Sequence, residues 1–131
     1  MELTALTALE QARLIRNREI SAAELLTATL AHVREKEKQI HAFVTICEKE
    51  AKEKAAEVDQ KLAAGEPVGP LAGVPYSAKD LYCTRGIFTT AGSRILTGWK
   101  PPYHAAVIER MNAADAVLFG KTNCDEFGMG G

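Results

Sequence analysis

A short apolar run, Ala116-Val-Leu-Phe119, opens without a break into Gly120-Lys-Thr-Asn-Cys-Asp-Glu-Phe-Gly-Met-Gly-Gly131. Four apolar residues with no polar alternation describe a buried strand of the parallel type. Two earlier segments read as its partners. Ala42-Phe-Val-Thr-Ile-Cys47 is rich in β-branched and aromatic residues and reads as a strand. Leu71 to Tyr82 is mainly apolar, and Pro75 confines any strand there to a sheet edge or to a start after that residue.

Helical spacing fills the intervals. Residues 3–18 read as a helix with a modest apolar stripe through Leu6, Leu9, Ala12 and Ile15. Ser21-Ala-Ala-Glu24 is a capping box, in which the two side chains satisfy each other's free backbone N–H groups. Ala22, Leu26, Leu30 and Val33 follow it at helical spacing, and the polar tail Arg34 to Gln39 leads to solvent. Residues 48–63 form a third helix. Its Glu48/Lys52, Glu50/Lys54 and Glu57/Lys61 pairs stand in the favourable i,i+4 order. Its narrow stripe, Ala51, Ala55, Val58 and Leu62, suits a helix lying on something larger. A fourth helix, about 104–114, has an expected inner face of Val107, Ile108, Met111 and Ala114.

The order β, α, β, α, β describes an α/β protein. Turn formers at Gly65-Glu-Pro-Val-Gly-Pro70 separate a mainly helical stretch, 1–64, from the start of the α/β core, 65–131, and residues 83–103 read as an irregular folded loop. An α/β unit places functional loops at the carboxyl ends of its strands and covers the sheet with a following helix. No helix follows the last strand here, so the chain reads as part of a longer one.

Charge and composition narrow the function. The formal net charge of -1 leaves no basic footprint for nucleic acid. No apolar run approaches the ~20 residues of a membrane helix, and Met-Glu-Leu-Thr is unlike a signal peptide, so a cytoplasmic location is expected. Cys47, Cys83 and Cys124 fit neither a disulfide frame nor a zinc site, and are expected to be reduced thiols. His32, His41 and His104 lack metal-ligand spacing, and no metal is expected.

Gly120-Lys121-Thr122 after a strand invites a phosphate-loop reading, but the position five before Gly120 is Asp115, where that loop needs glycine. Lys121 and Thr122 are therefore expected to end a strand and begin a structural turn. Lys79 lies in Val74-Pro-Tyr-Ser-Ala-Lys79-Asp80. Inside a core segment such a lysine is desolvated, which lowers its pKa and makes it a usable base. At a strand end it extends to solvent instead, and composition alone favours that reading. Asp80 is by default a turn or cap carboxylate. Phe127-Gly-Met-Gly-Gly131 suits a cleft wall, because glycine admits close backbone approach, or equally a flexible connector; Met129 alone is ordinary packing.

Taken together, Gly73-Val-Pro-Tyr-Ser-Ala-Lys79-Asp80, Ala91-Gly-Ser-Arg94 and Ala116-Val-Leu-Phe-Gly-Lys-Thr-Asn-Cys-Asp-Glu-Phe-Gly-Met-Gly resemble the front of the amidase signature family. Within it, Gly120-Lys-Thr-Asn123-x-Asp125-Glu126-Phe127, Tyr82-Cys83-Thr84 and Ser93-Arg94-Ile-Leu are most similar to the glutaminase subunits of tRNA-dependent amidotransferases. The resemblance is weak over 1–40 and strong over 66–131. It implies an amidase-signature α/β fold, a mixed sheet covered by helices with only its N-terminal part present, as one domain. It also implies a Ser–cis-Ser–Lys triad. Lys79 matches the family's lysine, which takes a proton through a bridging serine while a second serine attacks the amide carbonyl. Both serines are expected in a later Gly/Ser-rich segment, as are the oxyanion donors. Ser77 and Ser93 lack that context and are not substitutes. Met129 and Gly130 match the segment lining the substrate cleft.

The same resemblance implies glutamine as amide donor and ammonia as product. The implied partners are amidotransferase subunits B and C, with misacylated Glu-tRNA(Gln) or Asp-tRNA(Asn) held mainly by the partner. ATP and Mg2+ are used there, and no cofactor is expected on this chain. This chain alone is expected to be inactive. Three departures from the family pattern stand out: Cys124 for Met, Gly128 for Ala, and His104-Ala-Ala106 for Asp-Ala-Thr. The last removes a helix N-cap. A stand-alone amide hydrolase of the family and a non-catalytic partner-binding fragment are the alternatives.

Overall fold

The computed structural model describes residues 1–130. Helices α1 (Ala8–Arg16) and α2 (Ala22–Ile40) lead to strand β1 (Phe43–Ile46) and helix α3 (Glu48–Ala63). Strand β2 (Pro75–Lys79), helix α4 (Ala106–Ala113) and strand β3 (Val117–Thr122) complete the regular elements, with short 3-10 turns at Leu3–Ala5, Arg94–Leu96 and Glu126–Gly128. The sheet order is β1-β3-β2. β3 runs parallel to β2 and antiparallel to β1, so the sheet is mixed. Pro75 is the first residue of β2, on the edge of the described sheet, where its missing N–H costs no ladder bond.

The α/β class holds, with local corrections. The expected helix over 3–18 is two pieces. Thr7 breaks it and caps α1: its side chain accepts from Glu10 N while the Glu10 carboxylate accepts from Thr7 N at 2.8 Å. The restart turns Leu9 outward, where it is 77% exposed, and buries Gln11, Ala12, Leu14 and Ile15. The Ser21/Glu24 box forms as expected, and Asp59 of α3 adds to it. Its two carboxylate oxygens accept from Ala22 N at 2.8 Å and Ala23 N at 3.1 Å. A cap from a neighbouring helix thus fixes where α2 begins against α3.

Alanines at the α2–α3 contact permit close helix approach. Ala22, Leu25, Leu26 and Leu30 meet Ala51, Ala55 and Val58, and this layer rests on Val117 and Phe119 of β3. Gly120 is required by packing, because a β-carbon there would stand 2.6 Å from the Phe43 ring. Glu48–Lys52 and Glu57–Lys61 pair at 2.7 and 2.9 Å, but Lys54 turns from Glu50 to Asp115 at 3.0 Å. The Asp115 carboxylate also accepts from Gly69 N at 2.7 Å, tying α3 to the α4–β3 turn and the 65–70 loop.

α4 is shorter than expected, and its inner face is Ile108. Val107 is exposed, Met111 half-buried, and Ala114 lies past the helix end. Its N-cap, Ala105, makes no side-chain cap bond, while His104 accepts at Nδ1 from Arg85 N at 3.0 Å. Lys121 and Thr122 end β3 as expected, but both lie within the strand, and the turn starts only after Thr122.

Candidate active site

β2 and β3 run parallel and end side by side, Lys79 opposite Thr122. Side chains alternate across a strand, so Lys79 and Asp80 leave β2 on opposite sides. Lys79 is exposed, as is Ser77 two residues before it, whereas Ala78 and Asp80 are buried. Of the two placements the sequence left open for Lys79, the structure shows the one that composition favoured: the strand end delivers it to the exposed side. Its Nζ lies 3.8 Å from where a β-carbon on Gly128 would stand, so the glycine-rich turn passes directly over the amine. An apolar cavity of about 200 Å3 adjoins it, lined in part by Tyr76, Tyr82, Val107 and Met111.

Behind Lys79 lies a charged pair that sequence reasoning missed. Asp80 and Lys121 are both 0% exposed, and Lys121 Nζ stands 3.3 Å from Asp80 Oδ1. The contact is an ion pair without hydrogen-bond alignment. Lys121 donates instead to Tyr82 O and to Thr89 Oγ1, both at 3.0 Å. Burial pushes the Lys121 ammonium below its usual pKa, and the Asp80 charge offsets this only in part. Asp80 Oδ2 accepts from Thr90 N at 3.1 Å and from Thr90 Oγ1 at 2.5 Å.

These bonds extend into the turn over Lys79. Asp80 O accepts from Ala91 N at 2.8 Å, and Ala91 O accepts from Phe127 N at 2.7 Å. Ala91 and Phe127 both hold left-handed backbone angles, φ 51 and 54, costly for residues with a side chain. At Gly92 a β-carbon would overlap the Cys124 carbonyl, so only glycine lets the two loops meet. The strained residues therefore cluster where one loop locks the other above the lysine.

The other sequence-derived candidates are placed as follows. Met129 is 82% exposed beside Gly130, with its N–H on Glu126 O at 3.2 Å. Gly130 packs against the Asp125 side chain. Gly131 lies outside the described residues. Ser93 is buried, and its hydroxyl accepts from Ile95 N at 3.2 Å, which occupies it as a turn cap. The structure thus brings Lys79 and the 126–130 turn together. Among the described residues no group of three His, Cys, Asp or Glu side chains is placed to hold a metal, and no helix is long and apolar enough to cross a membrane. A free amine at the mouth of an open cleft can exchange a proton with a hydroxyl presented to it.

Known proteins match this chain in both sequence and structure. The amidase family model matches residues 24–131. The chain is 50% identical, over 98% of its length, to the A subunit of the glutamyl-tRNA(Gln) amidotransferase of Salinispora arenicola, and covers 26% of that protein. A bacterial aryl acylamidase of the amidase signature family superposes with a TM-score of 0.88 at 31% identity, over 93% of this chain and 26% of that one. The peptide amidase of Stenotrophomonas maltophilia gives 0.87 at 28%, over 94% and 26%. The chain thus spans about a quarter of the length of the relatives it matches.

Proposed function

The chain belongs to the amidase family, and we propose that it is the N-terminal part of the glutaminase subunit of a tRNA-dependent amidotransferase, with Lys79 as the base of a Ser–cis-Ser–Lys triad. The observation that carries the reading is the exposed Lys79 amine at the carboxyl end of β2, under the Phe127–Gly130 turn. In an α/β sheet that end is where chemistry is done. A lysine there is in position to take the proton of a bridging serine supplied by a later segment. That serine would activate the nucleophile, and the acyl-enzyme would release ammonia from glutamine.

The 50% identity to an amidotransferase polypeptide, against 31% and 28% to amidases of other substrates, favours the amidotransferase. On this reading Met129 and Gly130 border the substrate cleft. Subunits B and C are the partners. The misacylated tRNA, ATP and Mg2+ belong to the partner subunit, and the complex works in the cytoplasm. The near-neutral charge of this chain accords with tRNA being held elsewhere.

The experiment is a chimera in which residues 1–131 of this chain precede the remainder of the Salinispora arenicola relative. Co-expressed with that relative's partners, it is expected to release ammonia from glutamine and to amidate Glu-tRNA(Gln) when ATP is present. The rival reading, a stand-alone amide hydrolase, has support in the superposition with the two amidases. It predicts faster turnover of simple aryl amides than of glutamine, with no gain from partner subunits. That outcome would displace the amidotransferase reading.

A further inference from the structure

We propose that Asp80 and Lys121 form a positioning pair for catalysis: the buried pair fixes the carboxyl end of β2 and, through Thr90 and Ala91, the turn that lies over the Lys79 amine. The proposal rests on Lys79 being the base and adds to it two residues that touch no substrate.

The geometry is continuous. Lys121 sits in β3 opposite Ala78, one residue from Lys79 on the neighbouring strand. Its ammonium reaches Asp80 Oδ1, Tyr82 O and Thr89 Oγ1, at 3.3, 3.0 and 3.0 Å, and so binds the residues on both sides of the β2 exit. Asp80 holds the chain by further bonds. Its N–H reaches Thr122 O at 2.8 Å, its carbonyl accepts from Ala91 N at 2.8 Å, and its carboxylate accepts both the amide and the hydroxyl of Thr90. Ala91 then accepts from Phe127 N at 2.7 Å, which sets the turn whose Gly128 faces Lys79 Nζ.

A buried ion pair is a weak means of gaining stability, because desolvating two charges offsets most of their attraction, and apolar pairs of the same volume often serve as well. What such a pair supplies is a fixed arrangement. Here it sits where two strained residues, Ala91 and Phe127, need surroundings that hold them. A reacting amine displaced by ~1 Å loses on the order of 100-fold in rate.

The test uses the active chimera described above, with stability and steady-state kinetics measured together. Asp80→Asn keeps an acceptor for Thr90 but removes the charge opposite Lys121. It is expected to lower kcat at least about 30-fold with KM for glutamine within about 3-fold. Asp80→Asn combined with Lys121→Met leaves no buried charge. It is expected to recover part of the melting temperature lost by Lys121→Met alone, without recovering kcat. Thr90→Val, which removes one hydroxyl and leaves the ion pair intact, is expected to fold normally and lose about 5- to 10-fold in kcat, and Thr90→Ser is expected to restore it. The pair is merely structural, and the proposal fails, if the double variant regains kcat with its melting temperature, or if Thr90→Val keeps full kcat. Should Asp80→Asn fail to fold, the Thr90 variants decide alone. Lys79→Ala in the same chimera separates the two claims. If it stays active, the assignment of the base fails; if it is inactive while Asp80 and Thr90 variants are unaffected, only the positioning role fails.

Discussion

Removing Lys121 alone should destabilise the fold far more than removing it together with the Asp80 charge. The ammonium is fully buried, 3.3 Å from an equally buried carboxylate. Lys121→Met keeps much of the side-chain volume but leaves the Asp80 carboxylate buried without its counter-charge. Breaking a buried pair in this way costs about 3–5 kcal/mol. In the double variant with Asp80→Asn that penalty disappears. What remains is the lost donor to Tyr82 O and Thr89 Oγ1, about 1–3 kcal/mol for a buried acceptor left unpaired. The coupling between the two sites should therefore be about 2 kcal/mol or more, well above the ~0.5 kcal/mol scatter of independent sites. A domain of ordinary stability holds only about 5–15 kcal/mol in all. Urea unfolding followed by far-ultraviolet circular dichroism is the assay. At a slope of roughly 1.5–2 kcal/mol per molar, Lys121→Met should lower the midpoint by about 1.5–3 M, and the double variant should recover about half of that. A Lys121→Met midpoint within about 0.5 M of the parent, or losses that simply add, would refute the reasoning.

Four further outcomes follow from the same structure. Because burial depresses the Lys121 pKa, the folded state binds fewer protons than the unfolded one. Stability should therefore rise as pH climbs toward the unfolded value of 10.5, and Lys121→Met should flatten that rise in unfolding titrations. At Asp115, burial opposes ionisation, but the Gly69 amide and the Lys54 ammonium outweigh it and hold the carboxyl below 3.8. Its contribution is then full above that value and lost as pH falls through the folded pKa, so the gap in melting temperature between parent and Asp115→Asn should narrow in acid. Burial pushes the Cys47 thiol up to about 11, whereas Cys83 and Cys124 are partly exposed. Iodoacetamide at pH 8, read by peptide mass mapping, should label the latter two and spare Cys47 until urea unfolds the chain. Asp59→Ala, which strips two amide acceptors from the start of α2, should cost about 1–2 kcal/mol in urea unfolding, more than Ser21→Ala at about 1 kcal/mol.

Much of the fold was legible because local rules and tertiary contacts agree. The Ser21/Glu24 box, the 48–63 helix and the Pro75 strand start all appear where sequence rules place them. The failures have physical causes. Thr7 carries a capping box with Glu10 that the apolar stripe through Leu6 and Leu9 conceals, so one expected helix became two. Lys54 followed a partner 61 residues away over the one four residues away, a choice no local pairing rule contains. At the site, the motif led to Lys79, but the residues that hold it in place were read as turn formers. Lys121 continues an apolar strand, Val117 to Gly120, and Asp80 directly follows the end of the parallel strand beside it. A lysine and an aspartate at matching ends of two adjacent strands were the available signal. Their burial depends on the 83–103 loop folding over them, and an irregular loop leaves no periodic trace in sequence.

The most direct test of Lys79 as the base is the loss of its amine in the active chimera, measured as ammonia release under saturating glutamine. General base catalysis by a placed side chain is worth about 100- to 10,000-fold, and here the base also serves the nucleophile. Lys79 ends β2 and is exposed in this chain, and the melting temperature of Lys79→Ala, measured beside its activity, checks that the fold of the chimera is intact. The expected result is a fall in kcat of about 1,000-fold or more with the fold intact. A well-folded Lys79→Ala enzyme that keeps a tenth of its kcat would contradict the assignment.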